Sequence, residues 1–233
     1  MNEKSKQNND MTPELFISSK QNTEYCIPPK SKADYLQDLN SEISVDKKIE
    51  SLSAIIEIYR IGTVNNGGKY SEVAGNEILS LLQNYGLQVG LSERVACMLM
   101  REGAYCEKIG DYQNALRFYE GCLPFEIKDQ LIRYLRLNNL AFCLNFFMRF
   151  EDAEKYLREA VRILPERYNA WKNLGVCLEH QCQLEEAAEC YLKAIILSKG
   201  EGRSMMHLKR LIDRYPLLKK IPALADFDQL LQA

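Results

Sequence analysis

The chain of 233 residues has little of what catalytic, membrane and nucleic-acid-binding proteins require. It contains two histidines and one tryptophan. No run approaches the roughly 18 consecutive apolar residues of a membrane span. The formal net charge of −2 provides no basic field for nucleic acid. Residues 1–10 are almost wholly polar, unlike the apolar part of a secretion signal. These absences favour a cytoplasmic protein with no membrane span and no nucleic-acid partner.

Motifs for catalysis and metal binding are missing too. The chain has no G-x-S-x-G, H-E-x-x-H, glycine-rich phosphate loop or Rossmann fingerprint, so we expect neither enzymatic activity nor a cofactor. Cys177, His180, Cys182 and Cys190 lie close in sequence, but their spacing matches none of the common zinc patterns. Cys143 and Cys177 instead hold equivalent small-residue positions, where free cysteine packs as a small hydrophobe. We expect no metal site and, without a secretion signal, no disulfide framework.

What the chain does have is an internal repeat between Leu137 and Lys199, with a period of about 34 residues. A shift by one period superimposes Leu137 on Trp171, Leu140 on Leu174, Ala141 on Gly175, Leu144 on Leu178, Ala153 on Ala187, Leu157 on Tyr191 and Ala160 on Ala194. Such a period is typical of paired amphipathic helices, neither of which buries its apolar face alone. Glycine within a helix costs about 1 kcal/mol relative to alanine, so Gly175 indicates close approach of a neighbouring helix.

The segment resembles the tetratricopeptide repeat family, whose pattern is W-x2-L-G-x2-Y…A-x3-F…A…P. The matching residues are Trp171, Leu174, Gly175, Ala187, Tyr191 and Ala194. The resemblance covers about residues 92–199 and implies an all-α fold, a right-handed α-solenoid of antiparallel helix pairs (a superhelix). It also implies a non-catalytic protein–protein interaction module that binds a peptide segment of a partner, as an adaptor, co-chaperone or assembly factor.

Four segments are expected along the chain. They are a flexible polar tail (1–41), a divergent N-terminal helical hairpin (42–88), three repeats (89–199) and C-terminal capping helices (200–233). Ala115 of the first repeat lies further from Ala153 of the second than Ala153 lies from Ala187 of the third. The excess predicts a longer linker or an extended helix near Pro124.

Local signals refine these segments. Small apolar islands at 15–17 and 25–27 leave it open whether the tail docks on the array or on a partner. The hairpin helices are expected to end at Gly62 and Gly86, with Gly86 in the C′ position.

In this family the first helix of each pair lines a concave groove that binds peptides. Helical phase places nine candidate binding residues there: Arg101, Asn138, Asn139, Phe142, Phe146, Asn169, Lys172, Asn173 and His180. Asn139 and Asn173 hold equivalent positions, and because each amide both donates and accepts, they can bracket a peptide group of an extended ligand. Arg101 and Lys172 would attract a carboxylate, while the two phenylalanines would take an apolar side chain.

The groove is similar to that of carboxylate-clamp members, which bind acidic C-terminal tails, but Met100 and Ala104 stand where those members have Lys and Asn. The expected partner is a protein or peptide, with an acidic or C-terminal segment as one form. Alternatively, the polar residues only solvate the groove. A further alternative is a self-associating scaffold subunit that uses its convex face or stack end, which leaves homo-oligomerisation open. A sensor that switches a DNA-binding domain is disfavoured, because residues 43–86 show no basic recognition helix.

Overall fold

The computed structural model describes residues 28–88, 90–200 and 202–224. Within these ranges the secondary structure is entirely helical, as predicted. The α-helices are α1 Lys32–Leu39, α2 Val45–Gly62, α3 Glu72–Gly86, α4 Ser92–Lys108, α5 Tyr112–Gly121, α6 Gln130–Phe146, α7 Phe150–Ile163, α8 Tyr168–His180, α9 Leu184–Ser198 and α10 Gly202–Arg214. Short 3-10 helices lie at Val64–Asn66, Pro216–Lys220 and Pro222–Leu224. None of the described helices has both the length and the apolar content needed to cross a bilayer.

The chain divides into two compact units, Met1–Glu126 with α1–α5 and Ile127–Ala233 with α6–α10. In the first unit α1 packs on α2, and α4 packs between α3 and α5. In the second unit each helix from α6 to α9 packs on the next, and α6 also contacts α8. This succession is the predicted series of helix pairs. The division falls after the first of the three repeats.

Helix α1 lies where the sequence analysis expects a flexible tail. Ser31 and Asp34 form a capping box: the Ser31 hydroxyl accepts from the Asp34 N–H (3.2 Å), and the Asp34 carboxylate accepts from the Ser31 N–H (3.0 Å). Tyr35 and Leu39 are buried. The helical part of the chain therefore begins before residue 42. The apolar islands at 15–17 and 25–27 lie outside the described residues.

The two hairpin glycines behave differently. Helix α2 ends at Gly62, as predicted. Gly86 is the last residue of α3 but not a left-handed C′ residue, because the cap that follows, Leu87, has a right-handed φ of −75°. A Cβ on Gly86 would lie 2.5 Å from Cε1 of Phe125, so this position is small because the Phe125 ring packs against it. The expected C′ role of Gly86 is wrong.

Gly175 and Gly103 each admit an aromatic ring from the second helix of their own pair. A Cβ on Gly175 would lie 2.6 Å from Cε1 of Tyr191, and a Cβ on Gly103 would lie 2.6 Å from Cε1 of Tyr119. Both rings are fully buried. Close approach is thus confirmed, and the group that approaches is a tyrosine ring.

Each of these tyrosines donates a hydrogen bond to a glutamate on the first helix of its pair. The Tyr119 hydroxyl bonds Glu107 (3.1 Å) and the Tyr191 hydroxyl bonds Glu179 (2.8 Å). Burial, followed by the charge of Glu179, raises the pKa of Tyr191, so its hydroxyl stays protonated and remains a donor. We call this set the Gly–Tyr–Glu triad; it occurs in the first and third repeats.

The turn inside each repeat contains one residue with left-handed backbone. Gly110, Met148 and Cys182 have φ values of 74°, 58° and 60°. In each turn the next residue donates its N–H to a carbonyl in the last turn of the preceding helix: Asp111 to Cys106 (2.8 Å), Arg149 to Leu144 (2.9 Å) and Gln183 to Leu178 (2.9 Å). A non-glycine residue here costs about 1–2 kcal/mol. The hydrogen bonds hold this conformation in spite of that cost.

The first unit buries an ion pair between α2 and α4. Glu102, fully buried, accepts from Arg60 Nη2 (2.8 Å) and from the Tyr70 hydroxyl (2.9 Å). Burial and the neighbouring carboxylate raise the pKa of Tyr70, so the phenol remains a donor. The network satisfies the buried carboxylate and fixes α4 against α2.

Candidate peptide-binding face

Three asparagine side chains form a hydrogen-bonded series across α6 and α8, which we call the amide chain. Asn173 Nδ2 donates to Asn138 Oδ1 (3.0 Å), and Asn138 Nδ2 donates to Asn139 Oδ1 (3.1 Å). Asn138 and Asn173 are each 8% exposed. Asn139 of α6 and Asn173 of α8 are its two outer residues. The structure therefore brings these three predicted residues together, with two of them largely buried in the α6–α8 contact.

Helix α8 adds a polar pair beside the amide chain. Lys172 Nζ donates to Asn169 Oδ1 (3.3 Å) and lies 6.0 Å from the centroid of the Tyr168 ring. Both Lys172 and Asn169 are half-buried. The ammonium group is thus held close to the helix and can meet a ligand carboxylate at short range.

Helix α6 provides the aromatic part of the face. Phe142 is half-buried, whereas Phe146 is 55% exposed and meets Phe147 edge-to-face, with 5.3 Å between ring centroids. A ring that exposed can cover an apolar side chain of a ligand.

His180 and Arg101 contact residues outside the amide chain. The ring of His180 stacks on Phe150 of α7, with centroids 4.4 Å apart. Arg101 belongs to the other unit, where its Nε donates to the buried Glu102 (3.4 Å). The geometry of the candidate face therefore comes from α6 and α8.

Helix α10 repeats the register of α8, a point that the sequence analysis missed. Leu208 and Ile212 follow Leu174 and Leu178 at the same interval that separates Leu140 from Leu174, and all four are buried. Arg210 donates to Glu179 of α8 (2.8 Å). This spacing could have identified α10 as a further helix in the register of α8, but the charged outer face of α10 indicated only a capping helix.

The buried cysteines of the second unit behave as packing residues. Burial raises the pKa of Cys177 to about 11 and that of Cys190 to about 12, so both thiols stay protonated at neutral pH. Within the described residues, no group of three or more His, Cys, Asp or Glu side chains is placed to hold a metal ion. This geometry offers binding groups and no reactive thiolate at these two positions.

Successive helix pairs that bury one another's apolar faces make this a helical-repeat protein. Residues 168–199, which span α8 and α9, match the family model described as Tetratricopeptide repeat. In these residues the chain is similar to tetratricopeptide repeat proteins. These repeats mediate protein–protein interactions.

Two relatives share part of the chain. Tetratricopeptide repeat protein 7B of Homo sapiens is 32% identical over 103 residues, covering 43% of this chain and 11% of that protein. Photosystem I assembly protein Ycf3 of Prochlorococcus marinus (strain NATL1A) is 28% identical over 131 residues, covering 49% of this chain and 73% of that protein. The chain thus spans only a small part of the human relative.

Among solved structures, MamA from residue 41 to its end, from Desulfovibrio magneticus RS-1, has a TM-score of 0.53 at 20% identity. The match covers 79% of this chain and 94% of that one. This likeness shows the fold class, an all-α helical-repeat solenoid.

Proposed function

We propose that the chain is a non-catalytic adaptor or assembly factor that holds a peptide segment of a partner protein on the face of α6 and α8. The observation that supports this most directly is the amide chain. It brings asparagine side chains of α6 and α8 together, and an amide group can both donate to a peptide C=O and accept from a peptide N–H.

The aromatic side chains next to the amide chain favour a peptide over a small polar ligand. Phe146 is more than half exposed, at the C-terminal end of α6. A peptide whose main chain meets the asparagines would place an apolar side chain on this ring. The name of one relative, a photosystem assembly protein, agrees with a role in assembling other proteins.

The charges of this face favour an acidic segment. Lys172 lies beside the amide chain, and α10 adds Arg203 and Arg210 at the positions that Asn169 and Val176 hold in α8. Arg210 keeps its ion pair with Glu179, so its charge is partly compensated. A peptide with a free C-terminal carboxylate next to an apolar residue matches this arrangement.

Fluorescence anisotropy with labelled acidic peptides tests the proposal. The peptides form pairs that differ only in a free or an amidated C-terminus. The double variant Asn139→Ala with Asn173→Ala should weaken binding by about tenfold or more, since each lost hydrogen bond costs about 0.5–1.5 kcal/mol. Lys172→Ala should weaken binding of the free-acid peptide more than that of its amidated partner.

Asn84→Ala, on the exposed surface of α3 in the other unit, is the matched control and should leave binding unchanged. Far-UV circular dichroism must show equal helical content in all variants. Because Asn173 is buried, the single variant Asn139→Ala is measured as well. Binding that survives the double change would remove this face from consideration.

A further inference from the structure

The second unit has three chain reversals at equal sequence intervals: two left-handed turns at Met148 and Cys182, and the start of a 3-10 helix at Pro216. Met148, Cys182 and Pro216 follow one another at equal intervals of one repeat, and they mark the turns at 146–148, 180–182 and 214–217. The first two turns are neighbours, because Phe150 stacks on His180. The second and third are neighbours, because residues of both line one cavity. We call these three turns the turn edge.

The outer turns of this edge expose large apolar side chains. Met148 and Leu217 are each 74% exposed, and Phe146, Phe147 and Tyr215 are 55%, 37% and 38% exposed. At about 200 Å² for a large side chain, the exposed part amounts to about 550 Å². This area is divided between the two outer turns, with about 330 Å² at 146–148 and about 220 Å² at 215–217. The largest apolar patch on a typical monomer measures about 300–600 Å² and often marks a binding surface.

The two outer turns differ in shape. The first is a protrusion formed by Phe146, Phe147 and Met148. Beside the third lies a cavity of about 720 Å³, lined by Cys182, Leu184, Tyr215, Leu217 and their neighbours. Pockets that receive ligands commonly measure about 300–1,000 Å³. One unit therefore contains both an exposed apolar cluster and a cavity of suitable size, whose lining also includes Gln183, Glu185, Glu186 and Arg214.

We propose that the turn edge is a self-association surface, whose occupant is a second copy of this chain related by a two-fold axis through the middle turn. Such an axis exchanges the first and third turns. The 146–148 protrusion of each copy then enters the cavity beside 214–217 of the other, and the contact closes on itself as a dimer. This surface shares Phe146 with the α6–α8 face, but the inference is argued from the turn edge and does not depend on the proposed function.

The area is sufficient for such a dimer. Two copies bring together about 1,100 Å² of apolar surface before flanking polar atoms are counted, and a specific interface needs roughly 1,000 Å² in total. A partner with a protrusion but no complementary cavity would fill this cavity and leave the 146–148 protrusion in water.

Charged side chains of both signs flank the two ends. Arg149 follows Met148 directly, while the rim of the cavity carries Glu185 and Glu186. Glu186 is bound by Arg158 (2.7 Å), but within the described residues Glu185 has no ion pair. The two-fold axis brings Arg149 of each copy, which already pairs with Asp152 (3.0 Å), towards a rim that carries Arg214 as well as Glu185.

The axis also makes a prediction about Cys182. It lies in the middle turn and is exposed, so in the dimer each copy has its Cys182 near that of the other. A short bis-maleimide added to the full chain should link two copies through this residue. The variant Cys182→Ser should abolish the linked species on a denaturing gel, with the remaining cysteines serving as internal controls.

Sedimentation velocity across a dilution series provides the main test. The full chain should be a dimer, and Met148→Glu or Leu217→Glu should each raise the dissociation constant by at least about tenfold. Ile196→Glu, 57% exposed at the C-terminal end of α9, is the matched control and should leave it unchanged. Circular dichroism confirms folding, and Met148→Ser replaces Met148→Glu if the latter is unfolded.

Several results would overturn the proposal. They are a monomer at every concentration, larger open assemblies in place of a dimer, a dimer that Ile196→Glu weakens as much as Met148→Glu does, or a dimer that forms no link through Cys182. A monomer that still binds acidic peptides would refute the two-fold contact and leave the peptide-binding proposal intact.

Discussion

The middle repeat differs from its two neighbours in one buried set of three residues. The first and third repeats have the Gly–Tyr–Glu triad, whereas the middle repeat has Ala141, Leu157 and Asn145 at the same positions. Leucine brings no hydroxyl. In the described structure Asn145 Oδ1 is accordingly a buried acceptor without a hydrogen-bond partner, although its Nδ2 donates to the Asn173 carbonyl (3.0 Å).

The difference shows that these three positions vary together. A small first residue makes room for a ring, the ring brings a hydroxyl, and the hydroxyl needs an acceptor. Removing one member leaves either a clash or an unsatisfied polar atom, and the latter costs about 1–3 kcal/mol. The same backbone thus accommodates two different sets of buried side chains. The set in the middle repeat leaves the Asn145 Oδ1 atom unsatisfied.

Breaking the triad at its glycine should have the largest effect. Gly175→Ala places a Cβ 2.6 Å from the Tyr191 ring, so the variant should lose about 1–3 kcal/mol of unfolding free energy, as overpacked cores do. Urea denaturation measures this. Gly202→Ala is the control in the same unit, because a Cβ there meets nothing within 4 Å.

Rescue distinguishes a clash from a general loss of helix packing. In the Tyr191→Leu background, which gives the third repeat the leucine of the middle one, Gly175→Ala should cost little or be favourable, since alanine is the better helix former. An equal cost in both backgrounds would show that the ring is not the cause.

Building the triad into the middle repeat should have an intermediate effect. Leu157→Tyr alone should destabilise the chain, because Ala141 occupies the space that the ring needs. Ala141→Gly with Leu157→Tyr should be more stable than the two single changes predict, by about 0.5–3 kcal/mol of coupling. A double-mutant cycle in urea measures this, and strict additivity would contradict the comparison.

A pH-dependent effect of smaller size is expected at Glu107. Burial raises the pKa of this carboxyl, while the Tyr119 hydroxyl opposes the shift. A folded-state pKa above the unfolded value means that ionisation weakens the folded state. Its contribution to stability is therefore present below the unfolded pKa of about 4.3–4.5 and is lost as the pH rises through the folded pKa.

Glu107→Gln removes this ionisation and keeps an oxygen that can accept from Tyr119. The variant should gain stability relative to the natural chain at pH 7, by about 1 kcal/mol or less, and the gain should shrink at pH 4.5. Denaturation at both pH values checks it. A gain that does not change with pH would mean that the carboxyl is not the source.

The helix pairs could be predicted from the sequence, because the residues that recur at the repeat period are buried. Leu140, Leu174, Ala153 and Ala187 are fully or almost fully buried, as the periodicity requires. Helix α1 was missed, since so short a helix gives too few periodic positions to stand out from its polar surroundings. Its capping box was nevertheless visible in the sequence.

The candidate site was predicted less completely. Helical phase identified Asn138, Asn139 and Asn173, but phase does not reveal which amide donates to which, nor that two of them are largely buried. Gly86 was predicted to be the C′ residue that ends its helix. Its small size instead allows contact with the ring of Phe125, which is distant in sequence. Contacts between residues distant in sequence leave no local pattern to read.

The left-handed turns have one more consequence. Backbone hydrogen bonds hold these turns, so the side chains of Met148 and Cys182 are not needed for contacts inside the helix pair. A substitution there changes what the surface displays while the array beneath keeps its form. Related chains can therefore change their binding partners by substituting these few exposed residues, without a compensating change in the buried core.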